Sequence, residues 1–258
     1  MPLICLPLFG FFIGLIIIAL GGGGGGFYVG VLTAVFNVPP AIAASTSLAT
    51  IIPTTTIGML SHWKAGNINF KIGTIMMISA IIGAIVGSLF SDYIPDNLYN
   101  KITGSLLLVL VIQMALSYFK HKGTKATNNS SGTKKYTVLD LCKALFFGLL
   151  GGVMSGLVGI SGTTPIVAGL IVLGCKALEI VGTSVFVLVG ISVVGFLMHL
   201  GLGNVSWKLV FLLALGTSCG AFLAPFLLAK FSKDKLEKFL PPIIIILTAV
   251  MGLIVVAK

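Results

Sequence analysis

Residues 16–30 read IIIALGGGGGGFYVG, and the six glycines at 21–26 decide how the chain folds. They interrupt a segment otherwise apolar enough for a buried helix, and glycine costs a helix about 1 kcal/mol per residue relative to alanine. In lipid every backbone N–H and C=O still needs a partner, so a broken helix survives only where protein or a water-filled cavity surrounds it. Such a break marks a binding site. A second one, Gly159-Ile160-Ser161-Gly162-Thr163-Thr164-Pro165, interrupts an equally apolar segment of the second half.

The surrounding chain is that of an all-α polytopic membrane protein. Of its 258 residues 57% are hydrophobic and 9% charged, and several apolar runs approach the 20 or so residues that span a bilayer. A β-barrel is excluded, because its strands would alternate apolar and polar residues. All 16 basic residues are lysines, mostly in loops, so the net charge of +10 reflects the positive-inside rule rather than nucleic-acid binding. Cys5, Cys142, Cys175 and Cys219 lie within or beside apolar segments without metal-ligand spacing, and they read as small packing residues. No metal and no cofactor is expected. The N-terminal apolar run lacks a basic flank and a clear cleavage site, and reads as part of the mature protein.

The chain divides into a first transmembrane repeat (1–119), a basic linker (120–137) and a second repeat (138–258). Helices are expected near 3–20, 27–36, 39–60, 70–90 and 98–119, and again near 138–158, 165–173, 177–200, 207–231 and 236–257. The repeats superpose without a gap at a constant offset of 137 positions. Cys5 then meets Cys142, Gly22 and Gly25 meet Gly159 and Gly162, Thr46-Ser47 meets Thr183-Ser184, His62 meets His199, and Gly66-Asn67 meets Gly203-Asn204.

Lysine placement sets the orientation. With the linker cytoplasmic, a single crossing by each broken segment would put Lys230, Lys233, Lys235 and Lys238 outside. A segment that turns at its glycines and leaves by the side it entered keeps that cluster inside, so the copies are expected to be inverted. Residues 1–37 are too few for two full spans and a turn, which suits a hairpin of two half-helices. Each repeat is then a glycine-tipped broken-helix hairpin plus three transmembrane helices, and the two tips meet near mid-membrane.

No Asp, Glu, Lys or Arg falls at the centre of a predicted span, so the embedded polar groups are neutral. Thr46, Thr50 and Thr54 recur at i, i+4 on one helix face, with Ser47 beside them; Thr183 and Ser184 lie in the matching helix. Taken singly, such hydroxyls bond back to their own helix. Beside two glycine tips they suit a small anion, since each return half-helix starts at its tip and aims free N–H groups and a positive dipole end inward. Thr163 or Thr164 before Pro165 is the expected N-cap and first helical residue. The candidate substrate-binding set is therefore Gly22, Gly23, Gly24, Gly25, Gly26, Thr46, Ser47, Thr50, Gly159, Ser161, Gly162, Thr163, Thr164, Thr183 and Ser184. His62, Asn67, His199 and Asn204 are candidates for coupling or gating, although helix capping and interface anchoring explain the histidines adequately.

The glycine tips, the Thr-Ser pairs and the turns Gly66-Asn67-Ile68-Asn69-Phe70 and Gly203-Asn204-Val205-Ser206-Trp207 resemble, in order and repetition, the sulfite exporter TauE/SafE family of membrane permeases. The resemblance implies transport of sulfite, sulfonates such as sulfoacetate, or related sulfur-containing anions across a prokaryotic plasma membrane. The family places a proline soon after the tip glycines; here Pro165 keeps it, while Phe27-Tyr28 stands in the first half. The second tip, with its own hydroxyls, is the better endowed. The bilayer and a small anion are the expected partners, H⁺ or Na⁺ the coupling-ion alternatives, and a homodimer is compatible with the pattern. A cation-coupled carrier of another small anion is one alternative function. An intramembrane serine protease using Ser161 and His199 is another, since Gly159-Ile160-Ser161-Gly162 has the G-x-S-G form, but neither Gly24 nor His62 in the first copy would serve it.

Overall fold

The computed structural model describes residues 5–20, 23–91, 93–121, 136–201, 205–230, 245–246, 249–250 and 253–257. Gly22, Asn204, Lys233, Lys235 and Lys238 lie outside the described residues, as do most of the linker and of the expected last helix. The first half contains α1 (Leu6–Leu20), α2 (Gly25–Gly30) continuing as a π-helical turn (Val31–Val35), α3 (Pro40–Lys64), α4 (Phe70–Ser91) and α5 (Asp96–His121). The second contains α6 (Val138–Val158), α7 (Thr163–Val172), α8 (Ala177–Gly201) and α9 (Trp207–Lys230).

Local signals fix the ends of these helices. Proline opens α3, and His62 and Lys64 sit in its last turn, where cations favour the dipole. A capping box opens α6: the Asp140 amide donates to Thr137 Oγ1 and the Thr137 amide to Asp140 Oδ2. Four of the described helices (α3, α4, α6 and α8) are long and apolar enough to cross a bilayer. Their outer faces stay apolar. Ile78, Ile82, Val86 and Leu89 on α4 and Phe211, Leu215 and Phe222 on α9 are exposed at helical spacing, where a water-facing helix would carry charge.

Both broken segments turn back on themselves. In the second half Gly151 packs against Gly162 and Ile166, and Gly169 against Phe147, so α7 runs antiparallel beside α6. In the first half the rings of Phe9 and Phe36 meet edge to face at 5.9 Å, which brings the end of the return piece beside the start of α1. The first arms differ in length: α1 has 15 residues, whereas that of the second hairpin, α6, fills the expected 138–158 with 21. Its extra length lies toward the linker, where Leu139 is exposed and Lys143 pairs with Asp140 at 3.8 Å.

The halves interlock. Gly148, Gly152 and Gly156 of α6 advance along Met76, Ala80 and Ala84 of α4, so close that a Cβ at any of the three would strike the α4 backbone. Those two helices are therefore parallel. Likewise Gly10 and Gly14 of α1 advance along Leu213 and Thr217 of α9. Each hairpin is thus seated on the other half's helix. Gly73 of α4 meets Phe186 while Gly190 of α8 meets Met77, which makes α8 parallel to α4, and hence to α6. Gly195 of α8 meets Leu48 while Gly182 meets His62, which makes α3 antiparallel to α8. The connection 202–206 reaches at most about 18 Å, far too little for α9 to start again beside the start of α8. So α9 runs antiparallel to α8, packed on α1 and α3, and α1, parallel to α9, is antiparallel to α6.

Candidate functional site

The two glycine tips lie against each other. A Cβ on Gly23 would come within 2.9 Å of the Ser161 Cβ, and one on Gly25 would strike the Ser161 amide and approach the Gly159 carbonyl. The turns rely on left-handed backbone at Gly24 (φ 76), Gly159 (φ 70) and Gly162 (φ 60), where any other residue is strained. Gly159 is doubly restricted, because a side chain there would also run into Ala44 of α3.

Ser47 ties the tips together. Its hydroxyl is within hydrogen-bond distance of the Gly159 carbonyl (2.8 Å) and the Gly25 carbonyl (3.2 Å), and its side chain is wholly buried. From the other side, the Gly23 amide donates to Thr163 Oγ1 at 3.3 Å, and Thr163 Oγ1 pairs with Ser161 Oγ at 2.7 Å. Gly23, Gly24, Gly25, Ser47, Gly159, Ser161, Gly162 and Thr163 therefore converge, with Gly26 one residue into α2. Thr163 is not the expected cap. Gly162 caps α7, and the hydroxyl of Thr163, its first residue, is turned across to the other tip. Thr164 follows within the first turn.

The threonines of α3 form a ridge. Thr50 Oγ1 donates to the Thr46 carbonyl and Thr54 Oγ1 to the Thr50 carbonyl, while the buried Thr46 hydroxyl has no hydrogen-bond partner. At the far end Thr54 Oγ1 meets Thr217 Oγ1 of α9 at 3.3 Å, and the wholly buried Tyr28 hydroxyl lies near both without a hydrogen-bond partner. Sequence reasoning passed over Tyr28 and Thr217. The available signal was two hydroxyls in apolar runs whose partners at the 137 offset, Pro165 and Ala80, have none.

The matching pair in α8 is placed differently. Thr183 Oγ1 accepts from the Asn69 amide at 2.9 Å, at the start of α4, and lies about 7 Å along the helix from Leu188, the residue that touches Gly23. Ser184 donates to the Val181 carbonyl of its own helix. The histidines are not equivalent either. His199 is wholly buried and its Nε2 donates to the Gly156 carbonyl at 2.9 Å, whereas His62 is partly exposed beside Asn67, whose amide donates to the His62 carbonyl. Ser161 pairs with Thr163 and His199 with the α6 backbone, so no Ser–His couple forms.

The ends of the bundle also differ. Away from the linker, a cavity of about 370 Å³ is lined by Phe36, Asn37, Val38, Pro39, Ile42, Ser206, Lys208 and Leu209. At the linker end, the Asn69 side-chain amide donates to Tyr136 Oη (2.6 Å) and to the Glu179 carboxylate. Burial, followed by the proximity of Cys175 and Glu179, pushes the Tyr136 phenol up to about 12, so it stays protonated.

Apolar outer faces, interlocked hairpins and a neutral polar centre define a multi-pass membrane transporter. The family model "Sulfite exporter TauE/SafE" matches residues 6–253, and the chain belongs to that family. The probable membrane transporter protein YdhB of Bacillus subtilis is 32% identical over 245 residues, covering 95% of this chain and 96% of the relative. YtnM of the same organism is 27% identical over 83% of this chain and 71% of its own. MJ0441 of Methanocaldococcus jannaschii is 28% identical over 77% and 73%. No solved structure matches. These relatives are probable transporters, and membership makes this chain a transporter rather than an enzyme.

Proposed function

We propose that the chain carries a small sulfur-containing anion, such as sulfite, sulfoacetate or a related organosulfonate, by alternating access between its two tips. The carrying observation is that one hydroxyl, Ser47 Oγ, reaches carbonyls of both tips, while the Gly23 amide reaches Thr163 across the same junction. A group that pulled these tips apart would gain the amides of the first turns of α2 and α7 and the hydroxyls of Ser47, Ser161 and Thr163. An oxyanion matches that set of donors, and the helix dipoles favour its charge without a fixed cation. Substrate binding then means tip separation, because the tips now touch.

The halves are inverted in this reading, with the linker cytoplasmic in a plasma membrane. The opposed directions of α1 and α6 support the inversion. Export of an anion from a negative interior gains about 2.3 kcal/mol per charge per 100 mV. One observation keeps cation coupling as a second reading: Tyr28, Thr54 and Thr217 gather neutral oxygens of the kind that hold Na⁺ beside broken helices. Purified protein in liposomes, assayed with sulfite, sulfoacetate and sulfate and with and without a sodium gradient, tests both. Flux of no small anion refutes the proposal, and sodium-independent flux removes the second reading.

A further inference from the structure

The offset of 137 positions makes the two ends of the bundle comparable residue by residue. Asn37, with φ 53, corresponds to Gly174, with φ 70, so the chain turns alike after each hairpin. Ile42 corresponds to Glu179 and Ser206 to Asn69. Around Ile42 and Ser206 there is a cavity of about 370 Å³; around Glu179 and Asn69 the matching space holds the Tyr136 phenol, hydrogen-bonded to Asn69. Tyr136 stands at the end of the linker, just before the second repeat.

The routes inward differ in the same sense. From Ile42 in the cavity lining, α3 carries the buried Thr46, Thr50 and Thr54 inward at successive i+4 steps, about 6 Å each. The corresponding steps from Glu179 are Thr183, occupied by the Asn69 amide, and then Val187 and Ile191, both buried in apolar packing. One end offers an open mouth and a ladder of hydroxyls. The other offers a bolt and a hydrocarbon wall.

Resting on the anion-transport reading above, we propose that the cavity between Phe36 and Lys208 is the substrate's mouth in this conformation, opening away from the linker, and that Asn69, Tyr136 and Glu179 form a latch that holds the opposite mouth shut. Thr46, whose buried hydroxyl lacks a partner one turn below Ile42, is the first rung of the α3 ladder that the anion reaches. The latch residues are positioning groups and touch no substrate.

The test reads side-specific thiol labelling in the full chain in membranes, with Cys5, Cys142 and Cys219 replaced by Ala. Native Cys175, the equivalent of Val38, reports on the latched mouth; in a second background with Cys175 also replaced, Ile42→Cys reports on the open one. A membrane-impermeant maleimide is expected to label Ile42→Cys from the face away from the linker and Cys175 slowly from the linker face. Asn69→Leu, which removes both latch bonds, should speed Cys175 labelling at least about fivefold, the equivalent of one net hydrogen bond, and slow Ile42→Cys labelling. Tyr136→Phe, which keeps the packing, should do the same more weakly. Ile42→Cys that stays unlabelled from that face overturns the proposal, as does Asn69→Leu that moves both rates in one direction or neither. Reciprocal labelling without flux of any anion refutes the transported substrate and leaves the gate standing.

Discussion

Removing the Ser47 hydroxyl tests the tip geometry most directly. Ser47→Ala deletes one oxygen, changes helix propensity little, and leaves the Gly159 carbonyl without its 2.8 Å donor in a fully buried place. An orphaned buried acceptor costs about 1–3 kcal/mol, while interhelical hydrogen bonds in membrane proteins average about 0.6 kcal/mol. Gly25 loses less, because its carbonyl lies at the start of α2, where the helix supplies a donor. The expected loss is therefore about 1–2 kcal/mol, or a fall in Tm of roughly 2–8 °C for a chain of this size. The assay is thermal unfolding of the purified protein in detergent, followed by size-exclusion fluorescence. Thr55→Val is the matched control, since the Thr55 hydroxyl bonds to the Ile51 carbonyl of its own helix, and its Tm should fall by less than about 2 °C. Equal falls for the two variants, or none for Ser47→Ala, would refute the idea that Ser47 clamps the tips.

Three further outcomes are expected. Gly159→Ala combines a left-handed backbone, about 1–2 kcal/mol, with a collision against Ala44, about 1–3 kcal/mol; the variant should lose most of its monodisperse peak. Tyr28→Phe removes a wholly buried hydroxyl that has no hydrogen-bond partner, so it should leave Tm unchanged or raise it by about 2–4 °C; a fall of that size would show that the hydroxyl is bonded to Thr54 or Thr217. Lys208→Gln should raise the KM for anion flux about fivefold with kcat held, as expected for one charge at about 4 Å in water, and Lys208→Arg should restore it; equal KM values for all three would remove Lys208 from the mouth.

Much of the helical order was legible because lipid leaves few alternatives: continuous apolar runs must be helices, and six glycines must break one. The repeat gave correspondence, and with it the expectation that the tips meet. What the repeat could not give was difference. Thr46 and Thr183 look alike in sequence, yet Thr183 caps α4 through Asn69 because α8 lies beside that turn. His62 and His199 are paired by offset, yet His199 is buried on α6 while His62 stays partly exposed. Tyr136 was hidden for a simpler reason, since it sits at the edge of a hydrophilic linker, where a lone phenol carries no periodic signal. The seating of α6 on α4 and of α1 on α9 depends on glycine faces that read, in one dimension, only as small residues in apolar helices.

That exchange of hairpins has a consequence for ancestry and for assembly. A single ancestral repeat with this packing would have exposed the glycine face of its fourth helix and left its own hairpin unseated, so it would have been complete only beside a second copy lending the missing piece. The two halves need each other's glycine faces: severing the chain between them would leave two fragments that still clasp each other, and each alone would be an unfinished half.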